Sequence, residues 1–379
     1  MGTLRRAGIA AAVAAAPLGL AYRFALAYRV RAGYPRRNPP QITPADLGLP
    51  YESMLIESDG IALPAWFIPA RGGERGPAVV LVHGWESARD RTLPMAVFLH
   101  AAGFHCLTFD VRGHGDNGAE DLPLSAGEFG RDALAAFQAI LEQPEVSAAA
   151  VSGHSMGGIG AILAAAADPR VAAVVATSSP AGPYRLTRQT FRLARLPIPD
   201  PIAYPLAWLT TRVYLRPRGH VVADISATAA IARYGGPVLL AHGDADTVVP
   251  ASHMERLAAA ARASRADEPD AAPVETLVVP GGAHSWLYEE PDYRRAVAAF
   301  LAGALGGPFD PATAGDLAAA EQAERIADLE AQFDAVKDSP GGLRTLARVA
   351  LPGATRLPRP RDDASPTGQD DAPAPAPER

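Results

Sequence analysis

The chain has 379 residues, 48% of them hydrophobic, with 35 basic and 41 acidic side chains and a formal net charge of −6. That length suits one large α/β domain with appendages, and a mild negative charge spread along the chain argues against a nucleic-acid surface. The single cysteine, Cys106, excludes an intramolecular disulfide and a cysteine-built zinc site, and in the apolar run Phe104 to Phe109 it reads as core packing.

At the amino terminus Arg5 and Arg6 precede an apolar run from Ala7 to Tyr22, with Arg23 next and Phe24 to Tyr28 apolar again. Carried to Tyr28, the run is long enough for a hydrocarbon core of roughly 30 Å, provided Arg23 snorkels. Three readings compete: a single-pass anchor, a cleaved signal peptide, and a helix lying on the membrane or on the domain. Arg23, Arg29, Arg31, Arg36 and Arg37 favour a flank that stays cytoplasmic, and no small-x-small cleavage site stands out before them. The expectation is therefore a membrane anchor over residues 1–30 with the catalytic domain on the cytoplasmic side, export being the alternative. Residues 31–50, rich in Pro and Arg, read as a linker.

The folded unit is expected over residues 51–305. Two strand-like runs, Tyr51 to Ser58 and Ile61 to Ile68, flank Asp59-Gly60, a hairpin signal. Pro77 to His83 is a short continuous apolar run, suited to a strand buried on both faces. Further strands are predicted at Phe104–Asp110, Val146–Ser152, Val171–Thr177, Pro237–His242 and Val274–Pro280. Helices are predicted at Arg91–Ala102, Ala126–Glu142, Met156–Ala167, Ala251–Ala263 and Pro291–Leu305. This alternation implies a mostly parallel sheet with helices on both faces. Residues 178–236 interrupt the rhythm with Tyr184, Phe191, Tyr204, Trp208 and Tyr214 among arginines and prolines, and read as a lid over a site or as a structural insertion. Residues 306–351 read as a helical extension, and residues 352–379, rich in Pro, Asp and Ala, as a disordered tail.

Gly153-His154-Ser155-Met156-Gly157 matches Gly-x-Ser-x-Gly between an apolar strand and a small-residue helix, the context a nucleophile elbow requires. The glycines answer a steric need, because side chains flanking a serine on a strained turn would strike the adjacent strand and helix. A glycine-rich turn that merely permits tight packing is the bland alternative. A serine needs a base, and His284 follows the last predicted strand, where open α/β sheets gather their sites. Of the competing histidines His83, His100, His105, His114, His154, His220, His242 and His253, most have bland explanations as strand ends or surface helix positions. His83 and His242 each end a strand, and neither follows the acid in sequence. The loop after Pro237–His242 offers two acids, Asp244 and Asp246, to orient the imidazole, and the order Ser, Asp, His is the one expected of this fold. No phosphate loop or metal cluster is visible, so no cofactor is implied.

These motifs, together with His83-Gly84-Trp85 and Asp110-Val111-Arg112-Gly113-His114-Gly115, resemble the α/β-hydrolases, in particular bacterial esterase/lipase and serine-aminopeptidase-like members with an amino-terminal hydrophobic segment. The resemblance runs from about Tyr51 to Leu305. It implies that the backbone N–H groups of Trp85 and Met156 form an oxyanion hole, favours Asp246 over Asp244 as the acid, and assigns a structural role to residues 110–115. A serine at the elbow separates the chain from dehalogenases and epoxide hydrolases, which are expected to carry a carboxylate there.

Three functions follow as expectations. The first is hydrolysis of carboxylic esters, small acyl esters or lipophilic ones, with Tyr184, Phe191, Trp208 and Trp286 lining the pocket. The second is peptide or amide cleavage by the same triad. The third is a membrane-tethered binding protein without turnover, which an intact Ser155, Asp246 and His284 argue against. Fold and triad alone do not separate the first two.

Overall fold

The computed structural model describes residues 2–321, with side chains from residue 15 onward. Of the helical extension expected over residues 306–351, residues 322–351 lie outside the described residues, as does the disordered tail expected over 352–379.

Strands β1 (Glu52–Ser58) and β2 (Ile61–Ile68) form the expected hairpin. Its turn places Asp59 at φ 50° and Gly60 at φ 81°, both in the left-handed region a two-residue hairpin turn needs. With β3 (Gly76–Val82), β4 (His105–Phe109), β5 (Val146–His154), β6 (Val174–Thr177), β7 (Val238–Gly243) and β8 (Val274–Val279), they make one eight-stranded sheet in the order β1-β2-β4-β3-β5-β6-β7-β8. β1 and β2 run antiparallel to their neighbours, and every pairing from β4 to β8 is parallel. This is the α/β-hydrolase architecture.

Alternation along β3 shows why its run is apolar throughout. Ala78, Val80 and Val82 face one core, beneath α3 (Ala126–Leu141) and α4 (Met156–Ala167), with Phe129, Phe137 and Ile159. Val79 and Leu81 face the other, beneath α2 (Leu93–Ala101), where Phe98 and Leu99 lie. A strand covered on both faces has no polar side to show. Cys106 lies in this second core, and burial pushes its thiol well above the ordinary range. The strand order reverses at β3, since β4 and β5 lie on opposite sides of it. The loops leaving β3 and β5 therefore border a crevice at the strands' carboxyl ends, where sites form in open α/β sheets.

The amino terminus departs from expectation. Helix α1 (Gly2–Ala32) exists, but among the described residues no helix is long and apolar enough to cross a membrane. Over residues 15–32, Arg23, Arg29 and Arg31 interrupt the apolar run. The end of α1 instead docks on the protein, against α5 (Pro183–Leu193) and α6 (Asp200–Leu215). Ala25 is buried, Phe24 and Tyr28 meet the ring of Phe191 edge-on, and the Tyr28 hydroxyl bonds Thr190 Oγ1 at 3.0 Å. The single-span anchor is thus not supported, because the aromatic residues that lengthened the run are the ones that pack on the insertion. Residues 33–50 are not a free linker either. Ile42, Leu47 and Leu49 are buried in the second core, Gln41 N–H donates to Asp90 Oδ2 at 2.8 Å, and Arg37 donates to Asn117 O at 2.8 Å.

The insertion leaves after β6, forms α5 and α6, and returns through α7 (Ala227–Ile231). Its return is tied to α3 and to the loop before it: His220 Nε2–H donates to the buried Glu128 at 2.6 Å, and Arg218 meets Glu120 of that loop at 2.6 Å. Glu128 also completes a capping box with Ser125 at the start of α3. After α8 (Ser252–Ala263), β8 and α9 (Pro291–Leu305) comes α10 (Pro311–Ala320), which packs on α9 and α2 with Ala314 and Ala318 fully buried. Arg294, 1% exposed, donates to the carbonyls of Tyr288, Glu289, Ala318, Ala319 and Glu321. A cation at the carbonyl end of α10 is favourably placed against the helix dipole. This first helix of the carboxyl extension belongs to the core.

Candidate active site

β5 ends at His154, and Ser155 turns the chain into α4 with φ 54° and ψ −115°, outside the ordinary regions for a residue with a Cβ. A Cβ on Gly153 would lie 2.1 Å from Gly157 O, and one on Gly157 would lie 2.2 Å from Val82 O. The motif's spacing is thus a steric consequence of threading a strand-to-helix turn beside β3. Ser155 N–H donates to Thr177 O at 2.9 Å, which binds the turn to the end of β6. Glu86, Ser155, Ser178 and Trp286 are four of the six non-glycine residues with positive φ among the described residues, and they stand on the loops after β3, β5, β6 and β8. Backbone strain concentrates at one end of the sheet.

The loops after β7 and β8 touch where Gly243 faces Gly282, since a Cβ at Gly243 would lie 2.0 Å from Gly282 O. Ala245 N–H donates to Gly282 O at 3.0 Å, and Asp244 Oδ1 accepts from Gly281 N–H at 2.7 Å. Asp244 therefore caps the neighbouring turn. Asp246 faces inward: its Oδ2 lies 2.8 Å from His284 Nδ1, and His284 Nε2 lies 3.0 Å from Ser155 Oγ. The structure brings together the three residues that sequence reasoning singled out, in one hydrogen-bonded chain.

Asp246 accepts more than the imidazole. Its Oδ1 takes the N–H groups of Val248 and Val249, both at 2.8 Å, and His242 Nε2 lies 3.2 Å from its Oδ2. Burial pushes the Asp246 carboxyl up, but the bonds from His242, His284 and Val249 outweigh it and hold the group well below the usual carboxylate range. His242 also reaches Val249 O at 2.7 Å, so it braces the loop as well as the acid. From sequence His242 reads as an ordinary strand end; its position four residues before Asp246 is the signal that links it to the acid.

The Gly84–Trp85 backbone abuts the elbow, for a Cβ on Gly84 would lie 3.4 Å from His154 O and 3.6 Å from the Ser155 Cβ. Met156 N–H opens α4 on the other side of Ser155. The Trp85 ring stacks on Phe129 and meets His114 edge-on. His83 accepts from Val111 N–H at 3.0 Å, and burial pushes its imidazole down, so it serves as a neutral brace for the loop after β4. In that loop Asp110 bonds the Arg89 guanidinium, and Arg112 pairs with the buried Asp132 at 2.6 Å.

The aromatic residues expected at the pocket scatter more widely. Phe191 is buried against α1, and Trp208 is half-exposed with the Arg212 guanidinium 4.0 Å over its ring. The Tyr184 hydroxyl accepts from Arg212 at 3.2 Å. Trp286, two residues from His284, packs against Tyr288 and the second core. Among the described residues no group of three or more His, Cys, Asp or Glu side chains is arranged to hold a metal ion.

The family model described as serine aminopeptidase, S33, matches residues 73–218, a stretch that contains Ser155 and ends before Asp246 and His284. An uncharacterized protein of Mycobacterium tuberculosis is 32% identical over 230 residues, which are 60% of this chain and 69% of that protein. The alpha/beta hydrolase domain-containing protein WAV2 of Arabidopsis thaliana is 29% identical over 230 residues, 59% of this chain and 70% of its own length. Among solved structures, an esterase of Pyrococcus furiosus superposes with a TM-score of 0.57 at 22% identity, covering 72% of this chain and 98% of the esterase. With its parallel sheet, its serine turn and these relatives, the chain belongs to the α/β-hydrolase superfamily.

Proposed function

We propose that the protein is a serine hydrolase that cleaves carboxylic esters through an acyl-enzyme. The observation that carries this reading is the chain of hydrogen bonds from Asp246 through His284 to Ser155 Oγ, at 2.8 and 3.0 Å, on a strained turn. Ser155 Oγ attacks the ester carbonyl while its proton passes to His284 Nε2, and Asp246 holds the Nδ1–H tautomer and the imidazolium that forms. The carbonyl oxygen takes up negative charge against the N–H groups of Trp85 and Met156. Collapse breaks the ester C–O bond, and His284 returns the proton to the departing alkoxide. Water, deprotonated by the same imidazole, then releases the acid and restores Ser155.

A peptidase reading draws on the family model's description and uses the same steps on an amide. An aminopeptidase needs a pair of free carboxylates to hold a substrate amine; the insertion has two acids, Asp200 and Asp224, and Asp200 is engaged by Arg188 at 2.5 Å, which leaves no such pair. This favours esters. In the ester reading residues 178–236 are a lid, since α5 reaches the acid's loop through Gln189 Nε2–H to Thr247 O at 3.3 Å. Of the aromatic residues expected at a lipophilic acyl site, Tyr184 and Trp208 keep exposed surface on the insertion, whereas Phe191 packs on α1 and Trp286 on the second core.

A fluorophosphonate probe is expected to label the wild-type protein and not Ser155→Ala, whose kcat should fall by up to about 10⁶. p-Nitrophenyl esters should be turned over faster than aminoacyl amides. Labelling that persists in Ser155→Ala refutes the nucleophile, and a preference for the amides transfers the assignment to the peptidase reading.

A further inference from the structure

The loop that carries His284 is rich in glycine and in left-handed backbone. Gly281 and Gly282 precede His284, Gly281 has φ 70°, and Trp286 has φ 71°. Asp244 and Ala245 hold the two glycines. The tie at His284 itself comes from another direction. His154, the last residue of β5 and the neighbour of Ser155, directs Nε2 to His284 O at 2.7 Å, and the two rings lie 5.0 Å apart, tilted by 55°. Since the acceptor is a carbonyl, Nε2 bears the hydrogen and Nδ1 is bare. That bare nitrogen faces Gly84, where a Cβ would approach it to 3.4 Å. The ring thus fills the space where the loops after β3, β5 and β8 converge. Burial, and next the like charge of His284, push His154 down to about 4, so the ring stays neutral beside an imidazolium.

We propose that His154 is a positioning residue, which holds the His284 backbone at the distance from Ser155 that proton transfer requires. The proposal rests on the reading of Ser155 and His284 as nucleophile and base. Residue 154 belongs to the strand that delivers the nucleophile, so its bond couples the height of the serine turn to the base across 130 residues of sequence. A misplacement of about 1 Å between reacting groups costs on the order of 10²-fold in rate, so a single tie at this point matters.

Three variants test it. His154→Leu fills space without a donor, His154→Asn is polar but too short to reach His284 O, and His154→Gln carries an N–H at about the reach of Nε2. Turnover of p-nitrophenyl acetate, the rate of fluorophosphonate labelling, thermal melts and the downfield NMR resonance of His284 Nδ1–H, identified by its loss in His284→Gln, are measured on each. The Leu and Asn variants are expected to lose about tenfold to a hundredfold in kcat, the range for a buried acceptor deprived of its donor, with KM nearly unchanged. Their His284 resonance should shift or broaden, and the Gln variant should restore both readouts. If the Leu variant does not fold, the Asn and Gln pair decides. Wild-type kcat with an unshifted resonance in Leu or Asn, or a Gln variant as impaired as they are, overturns the proposal. If the wild-type protein neither labels nor hydrolyses esters, the ester-hydrolase reading fails, and the resonance alone decides the positioning: displaced in Asn and restored in Gln supports it, unchanged in all three overturns it.

Discussion

Replacing Asp246 with asparagine is expected to separate orientation from folding. The carboxylate has two sides: Oδ1 receives two backbone N–H groups at 2.8 Å each, and Oδ2 faces His284 Nδ1 at 2.8 Å and His242 Nε2 at 3.2 Å. An asparagine has one acceptor oxygen. If it keeps the backbone bonds, its amide NH₂ confronts the imidazole, which must then present a bare Nδ1 and put its hydrogen on Nε2, against Ser155. A base holding its hydrogen on that side cannot accept the serine proton. The expected loss is on the order of 10⁴ in kcat. Folding should change little, because the two backbone bonds that shape the loop survive, while the His242 side loses a bond worth about 1 kcal/mol. Asp244→Asn is the control: it retains an acceptor for Gly281 N–H and should keep most activity. Kinetics on p-nitrophenyl acetate and melts of both variants decide the matter. An active Asp246→Asn enzyme, or a large loss in Asp244→Asn instead, would refute the assignment.

Gly157→Ala drives a methyl group to 2.2 Å from Val82 O, so a melt should show about 1–3 kcal/mol of destabilisation together with slower probe labelling, whereas an unchanged melt would mean the turn has slack. For Glu128, burial raises the carboxyl, but His220, Ser125 and Arg218 outweigh it and bring it down to about 2. A folded value below the unfolded one, about 4.3, means stability that is fully present above that pH and lost as pH falls toward 2. Glu128→Gln should therefore be less stable than wild type at neutral pH, by at most on the order of 3 kcal/mol, and the difference should close in acid; a constant difference from pH 7 to 2 would count against the ion cluster. Trp208→Ala should alter kcat/KM for long acyl chains more than for acetate, at roughly 1 kcal/mol per methylene, and equal effects across chain length would remove the insertion from the acyl site.

What could be read from the sequence was local. β2, α4 and α9 begin and end where their apolar runs and flanking turns suggest, and the elbow is legible from its own five residues, although only Gly153 answers a clash close by in the chain, with Gly157, while Gly157 answers one with Val82 of β3. What could not be read depends on distant partners. Phe24 and Tyr28 look like the continuation of a membrane segment until the ring of Phe191, more than 160 residues on, is set against them. Ile42, Leu47 and Leu49 are too sparse among prolines and arginines to announce burial. Strand alternation gives no hint that the ring of His154 reaches the loop of His284, because that contact depends on how far two loops extend beyond the sheet.

Arg294 bears on the order in which the protein comes into being. Its guanidinium is satisfied by carbonyls, and three of them belong to Ala318, Ala319 and Glu321, later in the chain than every strand of the sheet. During synthesis the strands and the residues from Ser155 to His284 emerge first, yet α9 then holds a buried cation that lacks more than half of its acceptors. Chains fold as they emerge, amino-terminal parts first, so the closing of this core awaits a short helix made after the rest of it. A nascent chain halted at Leu305 carries a complete sheet and an unsettled charge beneath it, and α10 is the piece that ends the wait.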